Sequence, residues 1–280
     1  MSIPGKVMVE IQRAVIKLGG GLITVKNGIC EPDHDSIQIS TEAIAQLVNQ
    51  GWQIALVHGA GSFGHAKSKR WKLNEGETEV DLGEEDGIST QKEAVHAVRK
   101  DMIILNKLVT DALSNHGIKS ITHHPHRWAN GTGAEFSGNL DFLGEAYVTI
   151  THGDVVDVGH DGFGILSGDD LMLRIATEWE GVKSCIFCLA DCEGILTHPP
   201  GHPDATLLNT WDSSIGFGGR HESEIDVTGG IDYKALRAAS IAEIVPQVWF
   251  VDGRYSSRIV DACNGLETIG TRILKSPVRL

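Results

Sequence analysis

Four apolar stretches of this chain run into turns built on glycine, and that pattern restricts the fold more than any other feature. They read IKLGGG (16–21), IALVHGAG (54–61), TITHGD (149–154) and IFCLADCEG (186–194). A strand with one wet face alternates apolar and polar residues, whereas several of these runs are apolar throughout and so need cover on both faces. Further β-rich runs are KSITHH (119–124), QVWFVDG (247–253) and TIGTRIL (268–274). Between them lie segments of helical period. STEAIAQLVNQG (40–51) predicts a helix capped by Ser40 or Thr41 and stopped at Gly51. The stretch 89–117 carries Val95, Val98, Met102, Leu105, Val109 and Leu113 on one stripe, with Ser89 as cap and Gly117 as stop. SGDDLMLRIATEWEG (167–181) and the glycine turn DVTGG (226–230) open two more. Strands alternating with helices predict an α/β fold with a mostly parallel sheet covered on both faces. No internal repeat and no Pro- or Ser-rich linker divides the chain. Residues 66–90 are polar and acid-rich and read as a surface lid or loop.

The charge balance narrows the partners. With 37 acidic against 24 basic side chains the net charge is −13, which argues against nucleic acid. An anionic substrate must then be held by local cations, amides or a metal. No apolar run reaches the length of a membrane span, and MSIPGKVMVEIQR lacks the apolar core of a signal peptide. Five cysteines, an odd number, fit a reduced, cytoplasmic setting. In KSCIFCLADC an offset of three puts Cys185 and Cys188 on opposite faces of a strand, so they read as core residues rather than metal ligands. THHPHRW (122–128) has neither a nearby carboxylate nor helical i,i+4 spacing, and it is not read as a metal site.

In parallel sheets the chemistry gathers at the carboxyl ends of the strands. Several glycine turns there suit a ligand with more than one phosphate. No G-x-x-x-x-G-K-[ST] loop and no G-x-S-x-G elbow occurs. GAGSFG (59–64) matches the dinucleotide-binding pattern, yet it follows a later strand than that fold uses. Lys17 lies on a buried strand two residues before three glycines, and a buried lysine without a partner is costly, so it points into a site. Lys234 falls in the first turns of a helix, four residues after Gly230. Two lysines and helix N-termini aimed at one place suit a transferring phosphoryl group. Asp169 either pairs with both lysines or takes part in Mg²⁺ binding, and Asp170 reads as a plain partner of the helix dipole. His65 reads either as a polar loop histidine or as a donor to a phosphate oxygen.

Taken together, IKLGGGLIT with its lysine, HGAGSFGH, HGD, SGDD and DVTGGIDYK resemble the amino-acid kinase superfamily and, within it, the isopentenyl phosphate kinases, over residues 14 to 273. The resemblance implies an αβα sandwich with an open central sheet, forming a single domain over 1–280. Its N-terminal half, about 1–165, would bind the acceptor and its C-terminal half, about 166–280, the nucleotide. It implies transfer from ATP, with Mg²⁺ carried mainly on the ATP phosphates and no metal site of the protein's own, to isopentenyl phosphate. A cytoplasmic homodimer is expected. By the same resemblance Lys17, Gly19, Gly20, Gly21 and Lys26 meet the ATP phosphates, and Gly61 lies at the γ-phosphate. Ala60, Gly64, His65 and Gly153 hold the acceptor phosphate. Asp191 lies near the nucleoside, Gly230 and Lys234 meet the nucleotide phosphates, and Asp169 organises the two lysines. The prenyl tail is expected against segment 66–90 and the following helix, with Val95, His96, Arg99 and Ile103 as candidates. The chain departs from the family pattern at Gly21, where Ser is usual, at Val25, where Asp is common, and in LADCEG, where TDVDG is usual. Alternatives are a kinase for a fosfomycin-type phosphonate, a nucleotide-binding regulator and, through GAGSFG, a dehydrogenase. Retention of Lys17, His65, Asp169 and Lys234 argues for transfer.

Overall fold

The computed structural model describes residues 11–78, 83–160, 162–214 and 230–276. In chain order these form β1 (Gln12–Leu18), α1 (Gly20–Ile23), α2 (His34–Asn49), β2 (Trp52–His58), α3 (His65–Arg70) and α4 (Gln91–Asn115). Then come β3 (Ser120–Thr122), β4 (Val148–His152), β5 (Asp154–Val158), β6 (Gly162–Leu166), α5 (Gly168–Glu178) and β7 (Val182–Leu189). The chain continues through β8 (Thr210–Trp211), α6 (Gly230–Ala242), β9 (Gln247–Asp252), α7 (Ser256–Cys263) and β10 (Thr271–Ile273). The main sheet has the order β3-β4-β2-β1-β7-β9-β10-β8. Pairing is parallel from β3 through β9 and turns antiparallel only between β9 and β10. This is the expected α/β sandwich with a mostly parallel sheet.

The period of two along each strand sorts its side chains between two cores. Ile16 and Leu18 of β1, Leu56 of β2 and Cys188 of β7 pack with Ile44 of α2, Val98 and Met102 of α4 and Ile259 of α7. Val15, Val57, Cys185 and Phe187 face the other way, onto Leu171 and Ile175 of α5 and Ala238 and Ile241 of α6. Cys185 and Cys188 therefore do lie on opposite faces. All five cysteines are unpaired, and burial pushes the thiols of Cys185 and Cys188 well above their ordinary range. The same parity puts Lys17, two residues after Val15, on the α5–α6 side. The predicted α4 stripe is buried at all six positions.

Several local expectations change. Helix α2 begins at His34 rather than near Ser40, because Asp33 accepts from the Ser36 N–H at 2.9 Å and caps it earlier. Ser40 and Thr41 are interior and buried, and the Thr41 hydroxyl donates back to the Ile37 carbonyl. Helix α4 is capped by Thr90, not Ser89, through a reciprocal box with Glu93. The 66–90 segment is not simply a lid. It opens with α3, and Trp71 and Leu73 anchor it in the core at 2% and 0% exposure. After TITHGD, where β4 stops at His152 as the glycine turn implies, β5 pairs antiparallel with β6 as a separate ribbon. The DVTG part of DVTGG lies outside the described residues.

Candidate active site

The carboxyl ends of the parallel strands carry glycines in one row. Each glycine N–H continues the ladder by donating to the neighbouring strand. Gly153 donates to the His58 carbonyl at 2.9 Å, Gly59 to Leu18 at 2.9 Å, Gly19 to Cys188 at 3.0 Å and Gly253 to Leu189 at 2.8 Å. Beyond that row the chain turns away and leaves a cavity of about 330 Å³. The first and second turns meet backbone to backbone. A Cβ on Gly20 would overlap the Gly61 nitrogen and come within 2.8 Å of Gly61 Cα, and Gly61 sits at φ +48°. Thr24 locks the two turns together: its hydroxyl donates to the Gly20 carbonyl at 2.8 Å and accepts from the Ser62 N–H at 2.9 Å. Gly21 is different, since a Cβ there meets nothing within 4 Å.

Lys17, Gly19, Gly20, Gly21, Lys26, Ala60, Gly61, Gly64, His65, Gly153, Asp169, Asp191 and Lys234 all line this one cavity. Gly230 is not among the lining residues; its carbonyl accepts from Lys234 Nζ at 3.2 Å, and its neighbour Ile231 reaches the wall. Asp169, in the first turn of α5, holds Lys17 Nζ at 2.5 Å, with side-chain exposures of 2% and 7%. The pairing holds the Lys17 side chain against the cavity wall. Gly168 permits this approach, since a Cβ there would sit 3.0 Å from Lys17 Cε. Gly153 lies against the same helix start, a Cβ on it falling 3.5 Å from the Gly168 nitrogen. At the start of α5 Ser167 takes the Asp170 N–H on its hydroxyl at 3.1 Å and the Leu171 N–H on its carbonyl at 3.2 Å, so it is the Gly168 and Asp169 N–H groups that have no partner inside the helix. Lys26 pairs with Asp191 at 3.1 Å, both more than half exposed, across the mouth. His65 opens α3, half-buried, on the wall beside Gly64.

Asp170 does more than complement the helix dipole. It is 2% exposed and accepts from the Tyr233 hydroxyl at 2.7 Å and from Arg237 at 2.9 Å, tying α6, with Lys234, to α5, with Asp169. The apolar end of the cavity is also not where sequence placed it. Val98 and Met102 of α4, Val155 of β5 and Ile165 of β6 line it. Val95 is buried in the core, His96 and Ile103 are exposed, and Arg99 donates to the Val155 carbonyl and pairs with Asp157. The two sets interleave along the same stretch of α4, neighbours such as 98 and 99 or 102 and 103 lying about 100° apart around the helix, and only the packing of α4 decides which reach the cavity. Val155 and Ile165 lie on the antiparallel β5–β6 ribbon, and no local pattern in the sequence states that this ribbon walls the cavity. Among the described residues, no cluster of three or more His, Cys, Asp or Glu is arranged to hold a metal ion.

A glycine row, an amide-rich helix start and a paired lysine at the end of a parallel sheet define a phosphate-handling enzyme, a phosphotransferase. Residues 12–251 match the profile of the amino acid kinase family, and the chain belongs to that family. It is 27% identical to the isopentenyl phosphate kinase of Thermoplasma acidophilum, over 88% of this chain and 94% of that protein. It is 29% identical to the isopentenyl phosphate kinase of Haloferax volcanii, over 81% and 87%. Among solved structures, an X-ray structure of isopentenyl phosphate kinase superposes with a TM-score of 0.75 at 25% identity, covering 93% of this chain and 99% of that one.

Proposed function

We propose that the protein transfers the γ-phosphoryl group of ATP to isopentenyl phosphate, forming isopentenyl diphosphate and ADP. The observation that carries this reading is the two-ended cavity. Glycine amides and Lys17 occupy one part, and Val98, Met102, Val155 and Ile165 wall another. A phosphate bearing a short hydrocarbon tail fits both parts, whereas a small polar phosphonate leaves the apolar wall unused. The similarity to kinases of that name supports the same acceptor.

In this reading Ala60, Gly64, His65 and Gly153 hold the acceptor phosphate, in the half before about residue 165. Lys17, Gly19, Gly20, Gly21, Lys26, Gly61, Gly230 and Lys234 meet the nucleotide phosphates, with Asp191 toward the nucleoside. An oxygen of the acceptor phosphate forms the new bond to the γ-phosphorus as the bond to the β–γ bridging oxygen breaks. That oxygen is already ionised at neutral pH, so no strong base is needed. The barrier lies in bringing two anions into line, and fixed cations and amides lower it. His65 then acts as a donor and Asp169 as the group that holds Lys17. Asp169 and Asp191 are each engaged with a lysine. Mg²⁺, arriving on the nucleotide, would neutralise charge on the phosphoryl oxygens. No helix of the described residues is long and apolar enough to cross a membrane. A cytoplasmic setting accords with five unpaired cysteines, and a homodimer is the proposed assembly, to be checked by light scattering.

The test is ATP consumption with Mg²⁺ across isopentenyl phosphate, dimethylallyl phosphate, fosfomycin and no acceptor. Turnover with the prenyl phosphates and little with fosfomycin is expected. Turnover with fosfomycin alone overturns the assignment of the acceptor, and no turnover in folded, ATP-binding protein overturns the reading altogether.

A further inference from the structure

A group of buried imidazoles stands directly beneath two of the glycine turns, and the phosphoryl transfer makes no direct use of it. His58 ends β2 and His152 ends β4, and they are register partners. Both are fully buried, with rings stacked at 5.0 Å between centroids. Each Nδ1 faces the carbonyl of the glycine that follows: His58 to Gly59 at 3.1 Å, His152 to Gly153 at 3.0 Å. A carbonyl only accepts, so hydrogen bonding at both sites requires the proton on Nδ1. Nε2 is then an acceptor in both rings. That of His152 accepts from Nδ1 of His124 at 2.8 Å. That of His58 lies 3.4 Å from Asn106 Oδ1, on α4, while Asn106 Nδ2 donates to Thr122 Oγ1 at 3.1 Å; an accepting Nε2 needs the Asn106 amide turned over, with the Thr122 hydroxyl then donating to Oδ1. Beside them, His126 donates through its backbone N–H and Nδ1 to the buried Asp154 carboxylate, at 3.2 and 2.7 Å. His124 and His126 of THHPHRW thus brace the group from the β3 side.

The consequence lies in the peptide planes. In a trans peptide the C=O and the following N–H point in opposite directions. Holding the Gly59 carbonyl on His58 therefore turns the Ala60 N–H away from that ring, and Ala60 lines the cavity. Gly153 is held at both ends, its N–H on the His58 carbonyl and its own carbonyl on His152. Burial drives His58 down to about 3 and lowers His152 as well, so both rings are neutral near pH 7 and add no charge beneath the site.

We propose that His58 and His152 are positioning residues for the acceptor phosphate, fixing through their Nδ1–H groups the backbone of the Gly59 and Gly153 turns on which it rests. The inference rests on the acceptor placement given above. The roles are directional: a donor at the Nδ1 position is required, and a ring is not. Asparagine places an amide N–H near that position, whereas leucine fills comparable space with no donor.

The test compares His58→Asn, His58→Leu, His152→Asn and His152→Leu with the unsubstituted protein in steady-state kinetics. The Leu variants are expected to raise KM for isopentenyl phosphate about tenfold or more, with KM for ATP within about twofold. The Asn variants are expected to recover most of that loss. Folded Leu variants with unchanged acceptor KM, or Asn variants as impaired as Leu, overturn the proposal. If the Leu variants do not fold, imidazole ¹⁵N NMR of the unsubstituted protein saturated with ADP decides. Nδ1–H tautomers at residues 58 and 152 whose signals move on adding inorganic phosphate support the proposal. Nε2–H tautomers, or signals indifferent to phosphate, reject it. Absence of turnover with isopentenyl phosphate in the unsubstituted protein rejects the substrate reading instead, and the NMR experiment with inorganic phosphate still judges the imidazoles.

Discussion

Acid should unfold this protein partly through one side chain, His58. The ring is fully buried, and desolvation, with the neighbouring His152 and His124 rings also opposing a charge, holds it at about 3 against an ordinary 6.5; the Gly59 carbonyl offsets only part of this. At pH 5 the folded ring therefore stays neutral while the unfolded side chain is protonated. The unfolded state binds the extra proton, so stability falls as pH drops below the ordinary value and goes on falling toward the folded one. At pH 5 the unfolded side chain is about 1.5 pH units below its ordinary value, and at about 1.36 kcal/mol per unit the loss is about 2 kcal/mol. That is a substantial part of the roughly 5–15 kcal/mol that holds a domain together. The perturbation is His58→Asn, which keeps an N–H for the Gly59 carbonyl but cannot titrate. The assay is urea unfolding of both proteins at pH 7 and pH 5. The other histidines are common to both, so their contributions cancel in the difference of differences. The substituted protein should lose about 2 kcal/mol less over this interval than the parent. Equal losses in the two proteins would show that His58 does not stay neutral in the folded state, and the reasoning from burial would be wrong.

Three further outcomes follow from the site. Asp169→Asn leaves the Lys17 ammonium buried without its charge partner, and chemical denaturation should show a loss of about 3–5 kcal/mol; Lys17→Met with Asp169→Leu should recover much of that stability while phosphoryl transfer stays absent, which separates folding from function. Gly21→Ser, with open space at its Cβ, should leave the melting temperature within a few degrees, whereas Gly20→Ala, whose Cβ would overlap the Gly61 backbone, should greatly lower it or prevent folding; equal tolerance at both positions would contradict the close approach of the two turns. His65→Gln should raise KM for the acceptor and lower kcat with KM for ATP little changed, and unchanged acceptor kinetics would remove His65 from the acceptor end.

What could be read along the chain was whatever repeats locally. Apolar runs ending at Leu18, His58 and Leu189, the helical stripe from Val95 to Leu113 and the glycines after each strand specify a parallel α/β sheet and the edge where its chemistry gathers. Those signals are local because the strand period of two, the helix period of 3.6 and the freedom of glycine each act within a few residues. Lys17 could be read as a site residue because an ammonium on a buried strand is costly unless it faces a charge partner or an anionic ligand. The partnerships were different. Nothing in the spacing of residues 17 and 169 states that the two meet at 2.5 Å, or that Asp170 should hold Tyr233 and Arg237. The helix stripe named a face of α4 that holds Val95, Val98 and Met102 together, but where the cavity opens along that face decided that Val98 and Met102, rather than Val95 or the off-stripe Ile103, reach it. His58, His152 and His124 lie far apart in sequence, and only the parallel register of β2 with β4 and the turn after β3 stacks them under the glycines. Sequence by itself determined the elements and the end of the sheet that works. The tertiary structure decided which charges and rings are partners, because pairing depends on distance across the fold, and distance along the chain carries almost no information about that.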